Sequence, residues 1–363
     1  MRKNLFVRSI AAVSGIVMLA SLAACGDNTS SAGNNSGAGA TSQQAAEEAW
    51  ISAYMAANSG ANVTYNPTGS GAGVTTFLSG AAAWAGSDKA LSDDEVTQSS
   101  DKACANGTTA FDVPVYISPI AIIFNLKGVS DAGKHINLDA DTAAKIFDGK
   151  IVKWNDPAIA NQNKDLTLPD TQITVVHRSD KSGTKQNFVS YFKDQAPDSW
   201  THELSENWPD IPGQQSAKGT SGVVTAVKQA DGTIGYADFS QVGDLGTAAI
   251  KVGENYNEIS ADAGSKVIED SEIDTSVKGD NRVVVKINHA TEAKGAYPIV
   301  LVSYDIACPA YKDASTAKFV KSWLTYVTSD EGQKTASSAA GSAPLPSNIV
   351  KKVTKSIEAI KTK

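Results

Sequence analysis

The run VPVYISPIAIIFNL, Val113 to Leu126, carries no charge and almost no polar side chain. A strand with one wet face alternates apolar and polar residues. A strand apolar on both sides of the pleat must be covered on both faces, as in an α/β sheet. ITVVHR (Ile173 to Arg178) and YPIVLVSYDIA (Tyr297 to Ala307) are runs of the same kind. Segments of helical period stand between them. In TSQQAAEEAWISAYMAA, Trp50, Ile51, Tyr54 and Met55 recur at helical spacing, and Thr41 with Gln44 suits a capping box. NVTYNPTGSGAGVTTFLSG reads as a strand through Tyr65, a glycine-rich turn, and a helix carrying Val74, Phe77 and Leu78. AAWAGSDKALSDDEV reads as a short buried segment, an exposed turn and an acidic helix start. Two helices are expected to close the chain, one with Phe319, Val320, Trp323, Leu324 and Val327, the other with Ile349, Val350, Val353, Ile357 and Ile360. Strands alternating with helices predict α/β architecture. A length of 363 residues exceeds what one core usually serves, so two domains are expected. The late strand, followed by two terminal helices, implies that one domain is inserted into the other.

The first residues read as an export signal rather than as part of the fold. Met1-Arg2-Lys3 and Arg8 form a positive start, and Ser9 to Ala24 is uncharged and mostly apolar. That stretch falls short of the ~20 residues that span a bilayer. It ends in Leu22-Ala23-Ala24-Cys25, which resembles a bacterial lipobox, so residues 1–24 are expected to be a lipoprotein signal peptide and Cys25 the lipidated N-terminus. GDNTSSAGNNSGAGA follows, without a bulky apolar residue, and residues 25–40 read as a flexible tether. The protein is therefore expected outside the cytoplasm, held on the outer face of the membrane by lipid. In that setting the two remaining cysteines, Cys104 and Cys308, are expected to pair, two buried thiols being the alternative.

A formal charge of −7 excludes broad nucleic-acid binding, which needs basic patches. Enzymatic motifs are missing as well. Thr68 stands two residues before Ser70, where a nucleophile elbow needs Gly, and Val74 takes the place of the third glycine of a dinucleotide fingerprint. Lys181-Ser182 lacks a P-loop frame, and the four histidines show no metal-ligand spacing. No catalytic residue, metal or cofactor is expected.

The same segments make sense as anion ligands. Small-residue turns at Thr41-Ser42, Ser70-Gly71 and Ser182-Gly183-Thr184 each precede a helix. A helix N-terminus offers unpaired N–H groups and the positive end of its dipole. Arg178 adds a planar, permanently charged fork, and Asp180, two residues on, shares its face and orients it. Asp88 is an acceptor-only group. It welcomes an oxyanion that carries a proton, as phosphate does near neutral pH, and repels one that carries none, such as sulfate or molybdate.

GAGATS, YNPTGSGAG, AGSDKALSD, KIFDGKIVKWNDPAI, ITVVHRSDKSGT and GTIGYADF occur together in this chain. In that order they resemble the phosphate-binding lipoprotein of bacterial phosphate-specific ABC transporters, of the actinobacterial type, from about Gly37 to the C-terminal helices. The resemblance implies a periplasmic-binding-protein type II fold: lobe I, residues 41–117 plus 297–363, and an inserted lobe II, residues 118–296, joined by a hinge. It implies inorganic phosphate held by Thr41, Ser42, Ser70, Asp88, Arg178, Ser182, Gly183 and Thr184, with Asp180 behind them. It also implies a monomer that delivers phosphate to transmembrane permease subunits and performs no chemistry on it. Two positions depart from the family. Ser42 stands where Phe is common, and Lys181 replaces a frequent Gly.

Overall fold

The computed structural model describes residues 33–130 and 135–362. The expected signal segment and Cys25 lie outside the described residues. The chain begins with β1 (Ser36–Gly39), α1 (Gln44–Ala57), β2 (Thr64–Asn66), α2 (Ser70–Leu78), β3 (Trp84–Ser87), α3 (Asp93–Lys102) and β4 (Phe111–Asn125). It continues through β5 (Ile136–Leu138), α4 (Ala140–Phe147), α5 (Pro157–Ala160), β6 (Thr174–Arg178), α6 (Gly183–Gln195), β7 (Gln215–Ala217), α7 (Gly219–Gln229) and β8 (Thr233–Asp238). Then come β9 (Gly246–Val252), β10 (Asn255–Asn257), α8 (Ala261–Glu269), β11 (Glu272–Ile273), β12 (Val285–Lys286) and β13 (Val300–Ala307), and finally α9 (Ala314–Val327), α10 (Asp330–Ala340) and α11 (Ser347–Glu358).

The expected α/β architecture is present. Among the described residues, eleven strands join one mixed sheet whose main path runs β2-β1-β3-β13-β4-β8-β6-β7, with β9 beside β4 and carrying β5 and β10. The apolar run Val113 to Leu126 is the centre of it. β4 is one 15-residue strand, buried along all but its last residue. Its first part pairs antiparallel with β13 as far as Pro119, and from Ile120 it pairs with β8 instead. It thus belongs to both halves of the sheet, and this explains why its sequence is apolar on both faces.

Each half has its own aromatic core. On one side Trp84 lies 5.3 Å from Trp323, which lies 5.4 Å from Tyr54. On the other, Phe188 lies 4.8 Å from Phe147 and 4.5 Å from Tyr236, onto which it stacks. Cys104 and Cys308 are joined, with 5.3 Å between their Cα atoms. The bridge ties the end of α3 to the end of β13. A buried ion pair adds a second tie, from Arg282 Nη2 to Asp112 Oδ2 at 2.9 Å, so the segment before β12 packs on the start of β4.

Four expectations are corrected. Ser36–Gly39, read as part of the tether, is strand β1, parallel to both β2 and β3. Its small residues pack closely instead of flexing: a Cβ on Gly37 would lie 2.2 Å from the Trp84 ring. Thr41 does not cap α1, whose N-cap is Gln43 without a side-chain bond. The turn after β3 is not exposed at its start, because Asp88 is buried. Three helices rather than two close the chain. The missed one, α10 (DEGQKTASSAA), has no bulky apolar residue. It lies against α1, where Trp50 Nε1 donates to the Gly332 carbonyl at 2.7 Å.

Candidate anion-binding site

Four helices begin at one place: α1, α2, α6 and α7. The first turns of α1 and α2 have no side-chain cap, as at α11, whereas Ser92, Asp139, Ser260, Asp313 and Ser329 cap helices elsewhere; at α7 the Gly219 N–H goes to Asp180 and the Thr220 N–H to Thr41 Oγ1 at 3.1 Å. Uncapped first turns leave N–H donors facing whatever sits before them. Two glycines allow the approach. Gly69, before α2, has φ of 100°, and a Cβ there would lie 2.5 Å from Asp180 Oδ2. A Cβ on Gly183, at the start of α6, would lie 2.8 Å from the Asp88 carbonyl carbon. Glycine is needed at both positions for different reasons: conformation at the first, contact distance at the second.

Arg178 ends β6 and is buried. Its Nε donates to Asp180 Oδ1 at 2.7 Å, and its Nη2 donates to Asp180 Oδ2. Asp180 also accepts from the Gly219 N–H at 3.0 Å. Burial alone would raise the Asp180 carboxyl, but the Arg178 guanidinium outweighs it and holds the group below the usual range. Nη1 reaches Thr220 Oγ1 at 3.4 Å, leaving that edge of the fork on the side of the uncapped helices. The expected orienting role of Asp180 therefore has a geometric basis.

Asp88 follows β3 and is buried as well. Its Oδ2 accepts from Ser42 Oγ at 2.5 Å and from Thr184 Oγ1 at 2.6 Å, and its Oδ1 accepts from Ser303 Oγ at 2.8 Å. A carboxylate accepts about four hydrogen bonds, so roughly one lone pair remains for a ligand. Burial pushes this carboxyl above its ordinary value, and the three hydroxyls and the Arg178 charge partly offset that. Ser70 Oγ lies 3.3 Å from the Asp88 N–H. Ser182 Oγ caps α6 by accepting from the Lys185 N–H at 3.1 Å, and keeps its own hydrogen to give. Thr41 Oγ1 meets Thr220 Oγ1 at 3.0 Å across the gap between α1 and α7.

The structure thus brings all eight residues named from the sequence, with Asp180 behind them, into one buried cluster. Three partners were missed: Gly219-Thr220 at the start of α7, Ser303 on β13, and Gln43. The first had a usable signal, since KGTSG before VVTAVK is one more small-residue turn before a helix. Ser42 also does more than tolerate its place, because its hydroxyl bonds Asp88 where a Phe has none. Among the described residues no group of three or more His, Cys, Asp or Glu is arranged to hold a metal.

A model of the PBP superfamily domain matches residues 27–331 of the chain. The phosphate-binding protein PstS2 of Mycobacterium bovis BCG is 36% identical over 381 aligned residues, covering 98% of this chain and 99% of the relative. Phosphate-binding protein PstS 3 of Mycobacterium leprae is 35% identical over 291, covering 79% and 76%. Among solved structures, the high-affinity periplasmic phosphate-binding protein PfluDING, bound with phosphate, superposes with a TM-score of 0.71 at 22% identity, covering 89% of this chain and 93% of that one. The fold is accordingly the periplasmic-binding-protein type II fold. With a match over most of its length to the superfamily and to the mycobacterial proteins, the chain belongs to the PBP superfamily, in the family of the PstS phosphate-binding proteins.

Proposed function

We propose that the protein is an extracytoplasmic solute-binding protein that captures inorganic phosphate between two lobes and delivers it to the membrane subunits of an ABC importer. One observation carries this reading. The starts of α1, α2, α6 and α7, the Arg178 fork and the Asp88 carboxylate meet in one buried place, linked by hydrogen bonds such as Thr41 to Thr220 and Thr184 to Asp88. Donors surround the position and a single acceptor faces it, which suits a tetrahedral oxyanion carrying one proton. The ligands we assign are Thr41, Ser42, Ser70, Asp88, Arg178, Ser182, Gly183 and Thr184, with Thr220 added. The names of the mycobacterial relatives support phosphate as the cargo.

The lobe boundary at about residues 117/118 is supported by β4, which changes partner between Pro119 and Ile120. The Arg282–Asp112 pair implies that the segment before β12 moves with lobe I. Closure of the lobes would strip water from the anion and strengthen every contact to it.

Asp88→Asn tests the assignment. The amide keeps the size, removes the charge and adds a donor. Calorimetry should show phosphate bound similarly or more weakly while sulfate gains, so the phosphate-to-sulfate ratio falls about 10- to 100-fold, the range set by one unpaired buried group. An unchanged ratio would remove Asp88 from the selectivity. A chromogenic phosphate ester should not turn over; turnover would support a phosphohydrolase instead.

We also propose that Cys25 carries the lipid that holds the protein at the outer face of the cell membrane. Among the described residues no helix is long and apolar enough to cross a membrane. Cys25→Ser should therefore move the protein from the membrane fraction to the medium, read by immunoblot. Retention in the membrane fraction would contradict the anchor.

A further inference from the structure

Ser303 does not act on Asp88 alone. Gln43, Ser303 and Asp88 are all buried, and Gln43 Nε2 lies 2.8 Å from Ser303 Oγ and 3.1 Å from the Tyr304 carbonyl. A carbonyl can only accept, so the NH2 of Gln43 is the end that faces Tyr304 and Ser303. The other end, Gln43 Oε1, lies 3.2 Å from the Tyr65 hydroxyl, whose one hydrogen it shares with the Ala40 carbonyl at 3.0 Å. Ser303 therefore receives a hydrogen bond from Gln43, and its own single hydrogen goes to Asp88 Oδ1 at 2.8 Å. The place of Ser303 is set by the backbone. The β13–β4 register shifts between Ser303 and Tyr304, opposite Tyr116 and Pro114, and a proline is tolerated at such a bulge because it has no N–H to give to the ladder.

We propose that Gln43 and Ser303 are positioning residues whose one-way hydrogen-bond chain holds Asp88 as an acceptor-only group and thereby sets the preference for oxyanions that carry a proton. The proposal rests on the phosphate reading of the site. Without the amide, the Ser303 hydroxyl is free to turn its hydrogen away from Asp88; the anion then loses a donor, and the proton of a neutral Asp88 is available to sulfate. Charged and titratable groups facing Asp88 act in both directions: Arg178 favours its anion, whereas Asp238, Tyr116 and Tyr65 oppose it when ionised. Burial pushes Asp238 up to about 7 and Asp305 up to about 8, so both titrate in the working range; Gln43 partly offsets the rise at Asp305, so Ser303→Ala, which leaves Gln43 in place, is the variant that reads Asp88 directly.

The experiment measures the phosphate-to-sulfate affinity ratio by calorimetry from pH 8 down to pH 5. The proteins are wild type, Gln43→Met, Ser303→Ala and the double variant. Discrimination is lost as pH falls and Asp88 takes a proton. Ser303→Ala should move that loss upward by about one pH unit, a tenfold drop in the ratio at the wild-type midpoint, since one hydrogen bond to the charged form is gone. Gln43→Met should move it in the same direction by less. The double variant should match Ser303→Ala alone, because Gln43 acts through Ser303. Profiles that superimpose on wild type in both single variants overturn the relay. So does a double variant whose shift is the sum of the two, which would make the residues independent. A wild-type protein that does not prefer phosphate at pH 8 overturns the site reading beneath it, which distinguishes the two failures.

Discussion

Arg178→Ala is expected to weaken phosphate binding by roughly 10²- to 10³-fold or more, and to weaken every other oxyanion with it. The guanidinium is buried, paired through two nitrogens with Asp180, and points its remaining edge at Thr220 and the helix starts. Removing one partner of a buried, hydrogen-bonded charge pair costs about 3–5 kcal/mol, and each 1.4 kcal/mol is tenfold in affinity. Part of that cost is the Asp180 carboxylate left behind, now a bare negative charge beside the anion. Arg178→Lys should recover only a fraction, because an ammonium cannot satisfy both Asp180 oxygens and a ligand in one plane. Calorimetry of both variants checks this. Affinity within threefold of wild type in Arg178→Ala would place the anion elsewhere.

The second large effect concerns the Cys104–Cys308 bridge, which spans 204 residues of sequence. In the chain-entropy account a loop of that length contributes roughly 5 kcal/mol, an upper figure for measured disulfides. The bridge joins α3 to the end of β13, and the whole proposed lobe II lies within the loop it closes. Cys104→Ala with Cys308→Ala should lower the melting temperature by roughly 5–10 °C, at ~2 °C per kcal/mol for a chain of this size. Phosphate affinity should stay within about threefold. Cys308 stands five residues beyond Ser303 on an extended strand, roughly 16 Å from the site at ~3.3 Å per residue. A melting temperature unchanged by the double substitution would show that the bridge adds nothing to the fold.

Much of this arrangement was legible in the residues, and the exceptions have physical causes. Apolar runs located β4, β6 and β13, because a strand covered on both faces leaves a continuous signature. The turns before α2 and α6 were legible because small residues must stand where a backbone approaches a ligand. α10 was missed because alanine, serine and glycine carry no periodic apolar stripe, yet they are what lets the helix approach Trp50 closely. Ser36–Gly39 looked like a linker for a related reason: small residues serve a flexible chain and a tightly packed strand equally well, and only the Trp84 ring against Gly37 decides. Ser303 and Gln43 were hidden differently. A serine in a buried strand and a glutamine before a helix are ordinary residues until the fold sets them 2.8 Å apart beside Asp88.

The proposed preference for a protonated tetrahedral anion rests on one buried place. Its most direct test is a pair of calorimetric titrations of the wild-type protein at pH 8, phosphate alone and phosphate with sulfate in large excess. One phosphate should bind per chain, with affinity unmoved by the sulfate, because Asp88 meets no proton on that ion. Displacement of phosphate by sulfate at comparable concentrations, or no phosphate binding at all, would contradict it.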